Sequence, residues 1–146
     1  MLTEFDTVAA WQPNQLKSKK DWIFEINKKA SDHVAENIKK VFEAKKELFE
    51  YNRDDFDLDP ILENVINAAK KAYCGYGLSL VRGLPRDKLN DREFKLLIWV
   101  LGLHLGVARP QGMETQYISE VKATGMNYRS NSGRGYNSNA KLDFHT

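Results

Sequence analysis

The stretch "LNDREFKLLIWVLGLHLG", residues 89–106, restricts the fold more than any other part of the chain. Asn90 with Glu93 three residues on is a capping box, in which each side chain satisfies a backbone amide that the first helical turn leaves unpaired. A helix is therefore predicted through "REFKLLIWVLG", with Gly102 and Gly106 marking its end. The stretch is not a membrane span, because Lys95, His104 and the two glycines interrupt it before the roughly 20 apolar residues that a bilayer requires. It needs a core, and 42% hydrophobic residues in a chain of 146 are enough to build one.

Two helices are predicted ahead of it. Between about residues 27 and 50, Ala30, Val34, Ile38, Val41, Phe42 and Phe49 recur at spacings of three, four and seven, which reads as one long amphipathic helix. Its lysine pairs at 28–29, 39–40 and 45–46 alternate with Glu36, Glu43 and Glu47, the pattern of a solvated face rather than a binding patch. Asp59-Pro60 opens the next helix, with Asp as cap and Pro in the first turn. Its buried stripe is expected to be Ile61, Leu62, Val65, Ile66, Ala69, Ala72 and Tyr73, and the glycines of "CGYG" at 74–77 end it. The apolar "LSLVRGLP", 78–85, follows as a buried strand closed by Gly83 and Pro85.

Past Pro110 the pattern changes from helical to alternating. "TQYISEVKAT", 115–124, reads as a half-buried strand; 125–140 is rich in Asn, Ser, Gly and Arg; and a last strand begins near Lys141. Helices followed by accumulating strands imply an α+β fold, with the helices packed on one side of an antiparallel sheet or jelly roll of which this chain holds the beginning.

The remaining composition narrows the partners. With 22 basic against 20 acidic residues the net charge is +2, too small for a nucleic-acid or anionic-membrane surface. "RSNSGRG", 129–135, holds two arginines without repetition and does not make an RNA-binding tract. The single cysteine, Cys74, excludes an internal disulfide, and the first residues lack a secretory signal, so a cytoplasmic, soluble protein is expected. Cys74 itself reads as a small buried residue, His33 and His104 as surface or capping histidines, and Trp11, Trp22 and Trp99 as core or lid aromatics.

The closing "KLDFHT" puts Leu142 and Phe144 on one face of a strand and His145 on the other, toward whatever cavity the sheet encloses. Here the chain resembles the taurine-dioxygenase-like (TauD/TfdA-like, clavaminate-synthase-like) branch of the iron(II)/2-oxoglutarate dioxygenases. The resemblance rests on "GYGLSLVRGLP" at 75–85, "LGLHLGVARPQ" at 101–111 and "RGYNSNAKLDFHT" at 134–146, which occur in the family's order and at similar spacing over about half the chain. It implies a double-stranded β-helix core, Fe(II) and 2-oxoglutarate as cofactors, O₂ as co-substrate, and His145 as the first iron ligand. The carboxylate ligand would lie two residues beyond His145, because residues two apart project from the same strand face. A glycine or alanine there goes with halogenation in this superfamily, so radical halogenation is the alternative to hydroxylation.

By the same resemblance, the polar loop before the metal strand borders the substrate pocket. Asn137, Ser138, Asn139 and Arg134 are then candidates for holding a small polar or amino-acid-like substrate, against the plainer reading of a solvent loop of turn residues. The ending on His145-Thr146 reads as the N-terminal portion of a single dioxygenase domain, cut just after its first ligand and inactive alone. A non-catalytic α+β interaction domain is the rival reading.

Overall fold

Asparagine side chains open two of the helices, as their short amide makes possible. The computed structural model describes residues 8–110, 117–119, 121 and 122. The chain separates into two units, Met1–Val107 and Ala108–Thr146. In the first, α1 (Pro13–Ser18), β1 (Ile23–Glu25), α2 (Lys28–Val41), α3 (Asp59–Cys74), β2 (Leu80–Arg82) and α4 (Asp91–Leu105) follow in order, with 3-10 turns at Leu48–Glu50 and Arg53–Asp55. Asn27 starts α2 by accepting the Ala30 amide at 2.9 Å. Asn90 accepts the Arg92 and Glu93 amides, both at 3.0 Å, while Glu93 returns the bond to the Asn90 amide at 2.9 Å. The capping box of α4 is thus present, and the helix runs one turn further than expected, to Leu105.

The long helix predicted over 27–50 is shorter. It ends at Val41, where Phe42 turns to extended geometry. Other residues take over the backbone groups that a longer helix would have paired. The Tyr51 hydroxyl accepts the Glu43 amide at 2.8 Å and donates to the Glu43 carbonyl at 3.3 Å. The Arg92 guanidinium donates to the Ala44 carbonyl at 2.6 Å and lies over the Phe42 ring. Tertiary partners here override a local helical pattern. Lys46 packs its ammonium 4.4 Å from the centroid of the Tyr51 ring, and Lys28 pairs with Asp32 one turn on, so these two lysines have local partners.

Helix α3 begins where expected, although Leu58 occupies the cap and Asp59 the first helical position. Its stripe is rotated at the end: Ile61, Val65 and Ala68 are buried, whereas Tyr73 is 94% exposed and Cys74 is also on the surface. Both expectations of burial are corrected, since a helix keeps a residue inside only while a neighbour covers that side. Val34 and Ile38 of α2, Leu58 and Ile61, and Leu96, Leu97 and Val100 of α4 are exposed by 1% or less. They form the junction at which the three helices pack on one another. Each such side chain contributes roughly 1.5–3 kcal/mol of burial free energy.

Strand β2 falls inside the predicted 78–85, half-buried rather than fully buried. It pairs with β1, a strand of three residues that is too short to show alternation in the sequence. The pairing is parallel, Ile23 opposite Leu80 and Glu25 opposite Arg82, with Leu80 N–H donating to Trp22 O and Ile26 N–H to Arg82 O. A parallel pair needs a long crossover, which α2 and α3 supply. The antiparallel sheet or jelly roll expected from the C-terminal strands falls largely outside the described residues. Of the strand expected at 115–124, the described residues 117–119, 121 and 122 are not in strand conformation. The strand expected from Lys141 lies outside the described residues.

Gly83 ends β2 with φ +87°, and a Cβ there would stand 2.3 Å from the Ile26 carbonyl oxygen. Gly77 also has positive φ, +76°, but faces open space. Gly77→Ala is expected to lose about 1–2 kcal/mol from conformation alone. Gly83→Ala should lose clearly more, because the strand must also move off Ile26. Equilibrium urea unfolding of the two variants checks the difference, and equal losses would mean that the close approach is unimportant.

Candidate functional site

The best-formed polar cluster among the described residues gathers where the end of α3 meets the turn before β1. The Lys71 ammonium donates to Asp21 Oδ2 at 2.5 Å, and the Tyr76 hydroxyl donates to the same oxygen at 3.3 Å. Tyr76 is buried and the Lys71 ammonium lies 5.0 Å from its ring centroid. Trp11, just ahead of α1, donates its indole N–H to the Tyr76 carbonyl at 2.7 Å. The Trp22 indole donates to the Lys19 carbonyl at 2.8 Å, so two of the three tryptophans fasten the N-terminal segment down by their N–H groups. Trp99 is a core residue, as expected.

This cluster lies beside a cleft of about 390 Å³ lined by Trp11, Gln15, Leu16, Ser18, Lys19 and Tyr76 among others. The Lys19 ammonium stands over the Tyr76 ring, 5.5 Å from its centroid. The sequence hints at the aromatics, and Tyr76 belongs to "GYG". It holds no sign that Asp21 and Lys71 meet across 50 positions.

The hydrogen bond from Lys71 holds the Asp21 carboxyl below its usual value, with the lysine charge and the Tyr76 hydroxyl acting in the same sense. The bond to Asp21 in turn raises the Lys71 ammonium. A depressed carboxyl stabilises the fold above its ordinary titration range and loses that contribution as pH falls through the folded value. A raised ammonium stabilises below its ordinary range and loses the contribution as pH rises. The stability gap between the native chain and Asp21→Asn should therefore be flat from about pH 5 to 9, narrowing below about pH 4 and again above about pH 10. Both side chains are partly exposed, so added salt should shrink the gap. Chemical denaturation across pH measures it.

His33 lies on α2 with its Nε2 2.8 Å from Asp57 Oδ2, an exposed pair. His104 is half-buried in the last turn of α4, and its Nε2 has no hydrogen-bond partner among the described residues. No group of three His, Cys, Asp or Glu able to hold a metal occurs among the described residues. They therefore offer no seat for iron. His145 and the loop candidates Arg134, Asn137, Ser138 and Asn139 lie outside the described residues. No helix among the described residues is long and apolar enough to cross a membrane.

No family model matches the chain. It is similar to a curated protein named FR-33289 synthase from Streptomyces rubellomurinus, 24% identical over 139 residues. That match covers 94% of this chain and 41% of the relative, so the chain spans less than half of the relative's length. A match this long necessarily includes both 75–85 and 101–111, the segments that form β2 and the end of α4. The relative carries the name of an enzyme.

Proposed function

We propose that the protein of which this sequence is part is an iron(II)/2-oxoglutarate-dependent oxygenase that hydroxylates a small polar or amino-acid-like molecule. The observation that carries the reading is the order and spacing of three segments, 75–85, 101–111 and 134–146, ending in Phe144-His145-Thr146. Support comes from the local shapes of the first two. The first is a short strand closed by a glycine of positive φ, and the second a helix carrying Leu101-Gly102 in its last turns and stopping at Gly106. Similarity to a protein named as a synthase along nearly the whole chain agrees with a catalytic role.

In this reading the iron and 2-oxoglutarate supply the oxidising chemistry: one oxygen atom of O₂ goes to succinate, the other to the product, and CO₂ leaves. The part of this chain is to donate the His145 imidazole as one protein ligand and to line the pocket with Asn137, Ser138, Asn139 and Arg134. Incubating the full-length protein with iron(II), ascorbate, O₂ and 2-oxoglutarate should release succinate above the protein-free rate. Succinate release that is independent of added iron, or none with any amino-acid-like co-substrate, would count against the reading.

A further inference from the structure

We propose that the cleft beside Tyr76 is a binding site for a small organic monocarboxylate with an apolar body, its carboxylate on the Lys19 ammonium and its body against Trp11 and Leu16. This goes beyond the oxygenase reading and does not rest on it. The size of the cleft, about 390 Å³, lies in the range of small-ligand sites, which are apolar with a few placed polar groups. Its lining is mixed: Trp11, Leu16 and Tyr76 offer apolar surface, while Gln15, Ser18 and Lys19 are polar.

The sign of the ligand's charge follows from the ion pairs. Asp21 is the acid nearest in sequence to the cleft lysine, and it is already bound by Lys71 at 2.5 Å and by the Tyr76 hydroxyl. No acidic side chain among the described residues lies within ion-pairing distance of Lys19. Among the described residues, two ammonium groups and one carboxylate around Tyr76 leave one positive charge. The Tyr76 ring holds the Lys19 ammonium beside the cleft through its negative face, a weak tether that leaves the N–H donors free to turn to an anion.

The geometry is fixed before a ligand arrives. The indole N–H of Trp11 is committed to the Tyr76 carbonyl and the Gln15 side-chain oxygen to the Gln12 amide. The walls therefore need little ordering on binding, which favours a small rigid ligand over a flexible chain.

The test is a titration of the full chain with phenylacetate, phenethylamine and acetate, following the indole N–H resonance of Trp11 by NMR. Phenylacetate should give a saturable shift at millimolar concentration. Phenethylamine, with the same body and opposite charge, and acetate, with the charge and no body, should bind at least about tenfold more weakly, the ratio expected for loss of one charge-assisted bond or of the apolar contact. Lys19→Gln should weaken phenylacetate by about tenfold or more, Lys19→Arg should retain it, and Lys19→Glu should reverse the preference toward phenethylamine. Lys19 is exposed, and a far-UV melt confirms that each variant folds. No saturable shift, equal binding of phenethylamine, or binding indifferent to Lys19→Gln would overturn the proposal.

Discussion

Replacing Leu97 by alanine is expected to remove about 2–5 kcal/mol of stability, the cost of an unfilled cavity where a leucine was fully enclosed. In a unit of roughly a hundred residues that lowers the melting temperature by on the order of 10 °C or more. Ile98 is the contrasting neighbour. It is 41% exposed on the same helix, so Ile98→Ala should change stability by about 0.5 kcal/mol or less. The pair of thermal melts reads the orientation of α4 directly. Similar losses for both variants would mean that α4 is enclosed all round, and a larger loss at Ile98 would mean that the helix is turned the other way.

His145→Ala is expected to have the largest functional effect. If His145 is an iron ligand, as proposed, its removal should weaken iron(II) binding by more than the roughly 10–100-fold that follows from losing a group that merely supports a ligand. Succinate formation should fall to the protein-free rate. His33→Ala supplies the control, because the structure assigns that imidazole to Asp57 at the surface. Its iron affinity should equal that of the native protein. Equilibrium dialysis with iron(II) under argon measures all three forms. If His145→Ala retained iron and His33→Ala lost it, the assignment of the ligand would be wrong.

The reach of the sequence was set by how local each signal is. Asn90 and Glu93 act within one turn, so the start of α4 was legible to the residue, and Asp59-Pro60 marked the start of α3 within one position. Helix α2 was overextended because Val41, Phe42 and Phe49 continue its apolar spacing. What stops it is Tyr51 and Arg92, reaching in from 8 and 48 positions away. Strand β1 escaped notice because three residues cannot display a period, and its partner lies beyond two helices. Tyr73 and Cys74 continue the apolar stripe of α3 but face solvent, since a stripe records which side is apolar and not how far the neighbouring helices extend. The cluster of Asp21, Lys71 and Tyr76 could not be read because surface ion pairs leave no pattern at long separation. His145 stands apart: it is proposed from the resemblance of its motif alone, and it lies outside the described residues.

The oxygenase reading meets its most direct test in an anaerobic titration of the full-length protein with iron(II) and then 2-oxoglutarate, recorded in the visible region. A weak charge-transfer band should grow to one equivalent of each and be absent from His145→Ala. A protein that stays colourless through the titration, or a band of equal strength in the variant, would contradict it.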